Sequence, residues 1–342
     1  MTTNGDRPCW RANPHTGSRG AGATLRRAAV LVCWLTVFLA PPSVAEVVVV
    51  LNSGDASISL IDRATRKEIK RLPTGKEPHH LMQTPDDKSL IVASAASNDL
   101  LFLDPVTGDV QRRVKNIPDP YQIGYSPDRK WFVAAALRLN RVDLYKADDL
   151  TPVKRIPLAN TPSHLIFDRD SKFVFVTLQE SRDIAAIDLA TQSVAWRLPV
   201  GLQPAGIWMT PDDRHLLIGV MGEDFVAVVD WRKRTLVKKI VTGKGAHNFR
   251  ALGDGRHVFV TNRVVNTISL LDQQTLSVVR SFSTPSGPDC MEVSADGKEL
   301  WITARWAQKV AIFDIPTGKL IDTIPVGRSP HGIYFRSHAA RQ

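Results

Sequence analysis

Residues His80 to Val114 read HLMQTPDDKSLIVASAASNDLLFLDPVTGDVQRRV, and this stretch decides the fold. Its short runs HLMQT, SLIVAS, LLFLD and DVQRRV are separated by PDDK, AASND and PVTG, clusters of the residues that make tight turns. The pattern is β throughout, a four-stranded antiparallel meander. It also recurs. An aspartate closing an apolar segment stands at Asp62, Asp104, Asp188, Asp230, Asp272 and Asp314, always 42 residues apart or twice that, with Lys146 filling the one gap. Pro78, Pro120, Pro162, Pro204, Ala246, Pro288 and Pro330 keep the same period, as do the turn acids Asp86, Asp128, Asp170, Asp212, Asp254 and Asp296.

Seven copies without an insertion or deletion are a repeat architecture, and a repeat of about 40 residues with four strands is a propeller blade. One such sheet buries too little alone, so the blades must stack around an axis. The expected fold is all-β: a seven-bladed β-propeller of four-stranded antiparallel blades. The chain after the leader opens with VVVVLN from Val47, a second-strand type, and finishes with HGIYF from His331, a first-strand type. The last blade is therefore expected to close by N-terminal strands plus the C-terminal strand, which protects the sheet edges.

The turn motifs TPDD, SPDR and SADG, the tetrapeptide Phe259-Val260-Thr261-Asn262 and segments such as Asp104-Pro-Val-Thr-Gly108 resemble the YVTN-repeat family of bacterial β-propellers. The resemblance runs from residue 46 to 337 and implies the same fold. It implies little about activity, since fold does not settle chemistry. Haem-binding nitrite-reductase propellers are similar at a greater distance, but this chain has seven blades rather than eight and no cytochrome segment.

Composition is that of an ordinary globular protein, with 43% hydrophobic and 23% charged residues. Residues 1–45 differ: Arg26-Arg27 precede the apolar run Ala28–Ala40, and Ser43-Val44-Ala45 fits a cleavage site, so the segment reads as a secretory signal peptide with Glu46 as the mature N-terminus. The run is too short for a permanent span. The expected domains are the signal peptide 1–45, the propeller 46–337 and a short tail 338–342, and the expected location is periplasmic or secreted. Removing five Arg and one Asp with the leader leaves 39 basic and 33 acidic residues, net +6, which gives no reason to expect a nucleic-acid partner. Of three cysteines only Cys290 lies beyond the leader, so no internal disulfide is expected. No membrane span is expected after cleavage, and the chain reads as a monomer.

Because the copies are in register, residues one period apart form rings. The ring through Leu81, Ile123, Leu165, Ile207, Phe249, Met291 and Ile333 is core. The ring two residues earlier is His79, Tyr121, Ser163, Ala205, His247, Asp289 and His331, placed where the chain enters the innermost strand at one mouth of the central channel. His247, Asp289, His331 and His79 fall on four consecutive blades once the ring closes. The next ring adds His80, Gln122, His164, Asn248 and Cys290. Since neighbours in a strand point to opposite sides, at most one of His79 and His80 is expected in any given site.

The candidate ligand-binding residues are His79, Tyr121, His164, His247, Asn248, Asp289 and His331, with Arg138, Arg182, Arg263, Arg305 and Trp306 from the loops on the same face. His79, His247, Asp289 and His331 are the candidate metal ligands, being residue types suited to a divalent transition metal, and haem is the other cofactor considered. Clustered arginines suit an anionic ligand. The plainer reading is a polar mouth bonded to loop backbone and water. The six repeated aspartates read as turn caps rather than as a catalytic pair. No GxSxG, HExxH, Walker loop, CxxCH or dinucleotide fingerprint occurs. The expected function is an exported binding or scaffold propeller presenting a His/Arg-rich mouth to a protein, a polymer or a small anionic ligand. The alternatives are a metal- or haem-dependent enzyme or cofactor-handling protein, and a lactonase-like metal-dependent hydrolase.

Overall fold

A computed structural model describes residues 46–341; the signal-peptide reading lies outside these residues. Seven four-stranded antiparallel sheets account for all the strands described. One sheet pairs Pro330–Tyr334 with Val47–Asn52, Ser57–Asp62 and Lys67–Pro73, so both ends of the propeller meet in a single blade as expected. Its register sets Val49 against Tyr334 and Val50 against Ile333. In each of the other six blades four consecutive strands pair in chain order.

The blades are held by apolar cores between neighbours. Val133, Leu144 and Ile156 of one sheet pack with Leu165, Val176 and Ile187 of the next. Val48, Val50 and Ile333 of the closing sheet meet Trp301, Val310 and Ile324 of the preceding one, which completes the ring. The outermost strands, such as Val110–Lys115, face solvent along most of their length. The six repeated aspartates cap the turns that follow them: Asp104 Oδ1 accepts from Val106 N and Thr107 N, both at 2.8 Å, and Asp62, Asp188, Asp230, Asp272 and Asp314 do likewise.

The innermost strands are Pro78–Gln83, Pro120–Tyr125, Pro162–Phe167, Pro204–Met209, Ala246–Ala251, Pro288–Val293 and Pro330–Tyr334. Every one carries the same irregularity: the register against its partner strand shifts just after the residue that opens it. A bulge of this kind sets two residues against one, so the two neighbours no longer alternate strictly between faces.

The tail does not hang free. Ala339 N bonds Val293 O at 2.8 Å, and Arg250 donates to the carbonyls of Ala339 and Ala340 while holding Glu292. Arg341 reaches the second oxygen of Glu292. These contacts lie at the end of the inner strands opposite the histidines.

Candidate functional site

The bulges decide what the channel end contains. His79 and His80, neighbours in the chain, have ring centroids 4.7 Å apart, and both rings contact His331, at 3.7 and 4.9 Å. The expectation that only one of them joins a site is corrected: the irregularity between Pro78 and His80 turns both side chains into the same space. His164 continues the series, 5.2 Å from His80 and 5.2 Å from His247, and Tyr121 stacks 3.9 Å from His79.

A bulge leaves a main-chain N–H without a strand partner, and threonine answers it here. Thr177, Thr261 and Thr303, all at one position of the repeat, accept from His164 N, Asn248 N and Cys290 N at 3.1, 3.1 and 3.0 Å. Two of these hydroxyls then donate to the next blade, Thr261 to Asp289 O at 3.2 Å and Thr303 to His331 O at 2.7 Å. They hold the two bulged strands in relative position and were not among the candidates read from the sequence. Their 42-residue spacing was the available signal. On the blade that contributes no imidazole, amide or carboxylate to this end, the residue equivalent to His80 is Gly206, where a Cβ would stand 1.9 Å from the carbonyl oxygen of His247. Asn266, left-handed at φ 57°, accepts from Gly287 N at 2.8 Å and fixes the loop leading to Asp289.

Asp289 is fully buried and heavily contacted. Arg263 Nη2 lies 2.7 Å and Arg305 Nη1 3.3 Å from Oδ2, and Asn248 Nδ2 donates to Oδ1 at 2.8 Å. His247 Nδ1 and His331 Nε2 lie 3.3 and 3.5 Å from the carboxylate. Burial works to raise this carboxyl, but the Arg263 guanidinium, with His331, His247 and Arg305, holds it well below the usual range. Asp289 is therefore the fixed negative charge of the site. His247 is committed as well, since Arg263 Nη2 lies 2.9 Å from its Nε2.

Each remaining imidazole keeps one nitrogen open, although His164 Nδ1 lies 3.1 Å from Ser163 Oγ and His331 Nδ1 2.5 Å from the main-chain oxygen of His79. His79 Nδ1, His80 Nε2, His164 Nε2 and His331 Nε2 are all buried and have no hydrogen-bond partner. Burial depresses all of them as bases, His80 to about 4 and the others well below the ordinary value, so they are neutral near pH 7. Cys290 Sγ lies 3.6 Å from His331 Nδ1, and burial, with Asp289, pushes its thiol up. Below the rings a cavity of about 200 Å3 is lined by His80, Gln122, Asn248, Cys290, Trp208 and Arg341.

The loop candidates divide. Arg263 and Arg305 reach the channel, where Asp289 neutralises part of their charge. Arg138 pairs instead with Glu77 at 2.5 Å and Asp119 at 2.6 Å. Arg182 is exposed, and Trp306, 54% exposed, lies over Gly287. The arginines thus form no single anion clamp. A hydrolase of the lactonase kind, with several carboxylates converging on a metal, finds one carboxylate here, already held by two guanidiniums. The rings are spaced 3.7 to 5.2 Å centroid to centroid, which leaves no slot between them for a flat macrocycle.

Comparisons with known proteins agree with the architecture. A family model described as YNCE-like beta-propeller matches residues 22–341. No curated protein matches the chain. Among solved structures, a functionally unknown protein from Desulfotomaculum acetoxidans is similar at 15% identity and TM-score 0.73, over 86% of this chain and 100% of that one. Dihydro-heme d1 dehydrogenase NirN in complex with DHE is similar at 18% identity and TM-score 0.64, over 85% and 75% of the two chains. Kuenenia stuttgartiensis hydrazine synthase is similar at 17% identity and TM-score 0.64, over 78% and 96%. At such identities the likeness concerns the fold alone.

Proposed function

This chain belongs to the YNCE-like beta-propeller family, and from that premise we propose that it is a binding propeller whose working site is the imidazole-lined end of its channel. One observation carries the reading: four buried imidazole nitrogens without a partner, on rings gathered from three blades. Buried polar groups are almost always paired, and each one left unpaired costs about 1–3 kcal/mol. Four in one place mark a position kept for a ligand. We further propose, from residues 1–45, that the protein is exported; among the described residues no helix is long and apolar enough to cross a membrane.

The test is ligand-linked thermal unfolding of the full chain against divalent metal ions and small anions, beside a His80→Gln/His331→Gln double variant. A compound that binds the folded state raises Tm with concentration. The reading predicts a shift in the wild type that the double variant loses. A shift that survives in the double variant places binding elsewhere, and no shift with any compound leaves a propeller that works by its outer surface.

A further inference from the structure

We propose that the channel end is a transition-metal site in which His79, His80 and His331 are the ligands and a late first-row divalent ion, copper or zinc, is the occupant. The proposal rests on the binding reading above and names its ligand.

The geometry of His331 points there first. Its Nδ1 lies 2.5 Å from the main-chain oxygen of His79, and a carbonyl only accepts, so Nδ1 carries the proton. The lone pair is then on Nε2, which has no hydrogen-bond partner and stands 3.5 Å from Asp289 Oδ2. Arg263 and Arg305 already meet Oδ2, at 2.7 and 3.3 Å, so the lone pair on His331 Nε2 is the one left open. A metal ion draws on it together with lone pairs of the neighbouring rings. A backbone carbonyl that fixes the tautomer of a histidine is also how metal-binding imidazoles are commonly oriented.

The second observation is convergence. One ligand atom each from His79, His80 and His331 lies within 4.8 Å of the others, a spread that an ion closes with small side-chain rotations. His79 Nδ1 and His80 Nε2 are the partnerless nitrogens of the other two rings. Asp289, Cys290 and His331 form an overlapping group, but Asp289 is already bonded by Arg263 and Asn248, which leaves it as a neighbouring charge rather than a ligand.

The donor set selects the metal. Three neutral imidazoles with a thiol beside them suit copper and zinc, whereas calcium and magnesium prefer several oxygen ligands, and the one carboxylate here, Asp289, is already bonded by Arg263, Arg305 and Asn248. Three protein ligands leave a fourth position for water or a small molecule, as in sites that are not purely structural. The cavity lined by His80, Gln122, Asn248 and Cys290 adjoins that position.

The experiment uses the full chain, stripped by chelator and then equilibrated separately with Zn2+ and Cu2+, with bound metal counted by elemental analysis. One equivalent is expected, held at least about 100-fold more weakly by His331→Gln and by His80→Gln. His257→Gln, a change at the start of the strand His257–Asn262 where the imidazole rests on Asp254, should bind as the wild type does. If a channel variant fails to fold, X-ray absorption on the wild type decides, with imidazole nitrogens at about 2.0 Å expected in the first shell. Failure of the folded wild type to retain either metal overturns the proposal, as does equal retention in both channel variants or a shell of oxygen alone. A small anion that raises Tm through His80 and His331 while neither metal binds would overturn the metal and leave the binding reading standing.

Discussion

His331 Nδ1 lies 2.5 Å from the main-chain oxygen of His79, a residue 252 positions away in the chain and in the adjoining blade. The strand that closes the propeller thus carries a central residue of the site, and closure of the ring and assembly of the site are one event.

Weakening the closure should therefore disturb the site at a distance. Asn52, buried in the closing blade, donates to Ser57 Oγ and Ser59 Oγ and accepts from Gly327 N. Asn52→Ala is expected to cost about 1–3 kcal/mol, read as a lower urea midpoint. It should also speed labelling of the half-buried Cys290 thiol. Unchanged labelling would show that the site does not depend on the closure.

Asp289→Asn removes the one carboxylate that faces Arg263 and Arg305. Breaking a buried pair strands the partner charge, and a loss of about 3–5 kcal/mol is expected by chemical denaturation. A near-neutral result would mean that the guanidiniums find solvent.

Stability of the metal-free protein should fall in mild acid. The five channel imidazoles have native values below the ordinary 6.5, so the unfolded chain binds more protons once the pH drops under 6.5. Stability is full above that point and declines as the pH falls towards about 4, where His80 itself titrates in the fold. His80 alone contributes about 3 kcal/mol to the decline. Asp289, whose native value is also depressed, adds a loss of the same sign only below its ordinary 3.8. Urea midpoints measured between about pH 7 and pH 4.5 check this, and a flat profile would contradict neutral buried imidazoles.

At the opposite end, Glu292 accepts from buried Arg250 at 2.5 Å and from Arg341 at 2.6 Å. Glu292→Gln leaves Arg250 without its counter-charge and is expected to cost about 3 kcal/mol, with earlier proteolysis of the tail. Asp104→Ala, by contrast, removes a turn cap far from the channel. It should lower stability by about 1 kcal/mol and leave ligand binding unchanged.

The sequence carried the architecture because repetition makes each position testable several times over. The aspartate at 104 was legible as a cap because five others share its place, and the arc His247, Asp289, His331, His79 was legible because four blades are consecutive. What escaped was local. The bulge after Pro78 shows in no residue type, so strict alternation separated His79 from His80, and His80 was left out of the metal set. Arg138 and Arg263 occupy equivalent loops, yet one meets Glu77 and Asp119 while the other meets Asp289; which acid lies in reach depends on the neighbouring blade. The tail read as an appendage because a few residues beyond the last repeat have no counterpart to compare with, and its carbonyls, not its side chains, hold Arg250.

The most direct test of the account is a crystal structure of the full chain equilibrated with copper or zinc, with an anomalous difference map at the metal edge. The account predicts one strong peak at the channel end, about 2.0 Å from nitrogens of His79, His80 and His331. A map without a peak there, with those nitrogens bonded to ordered water, would contradict it.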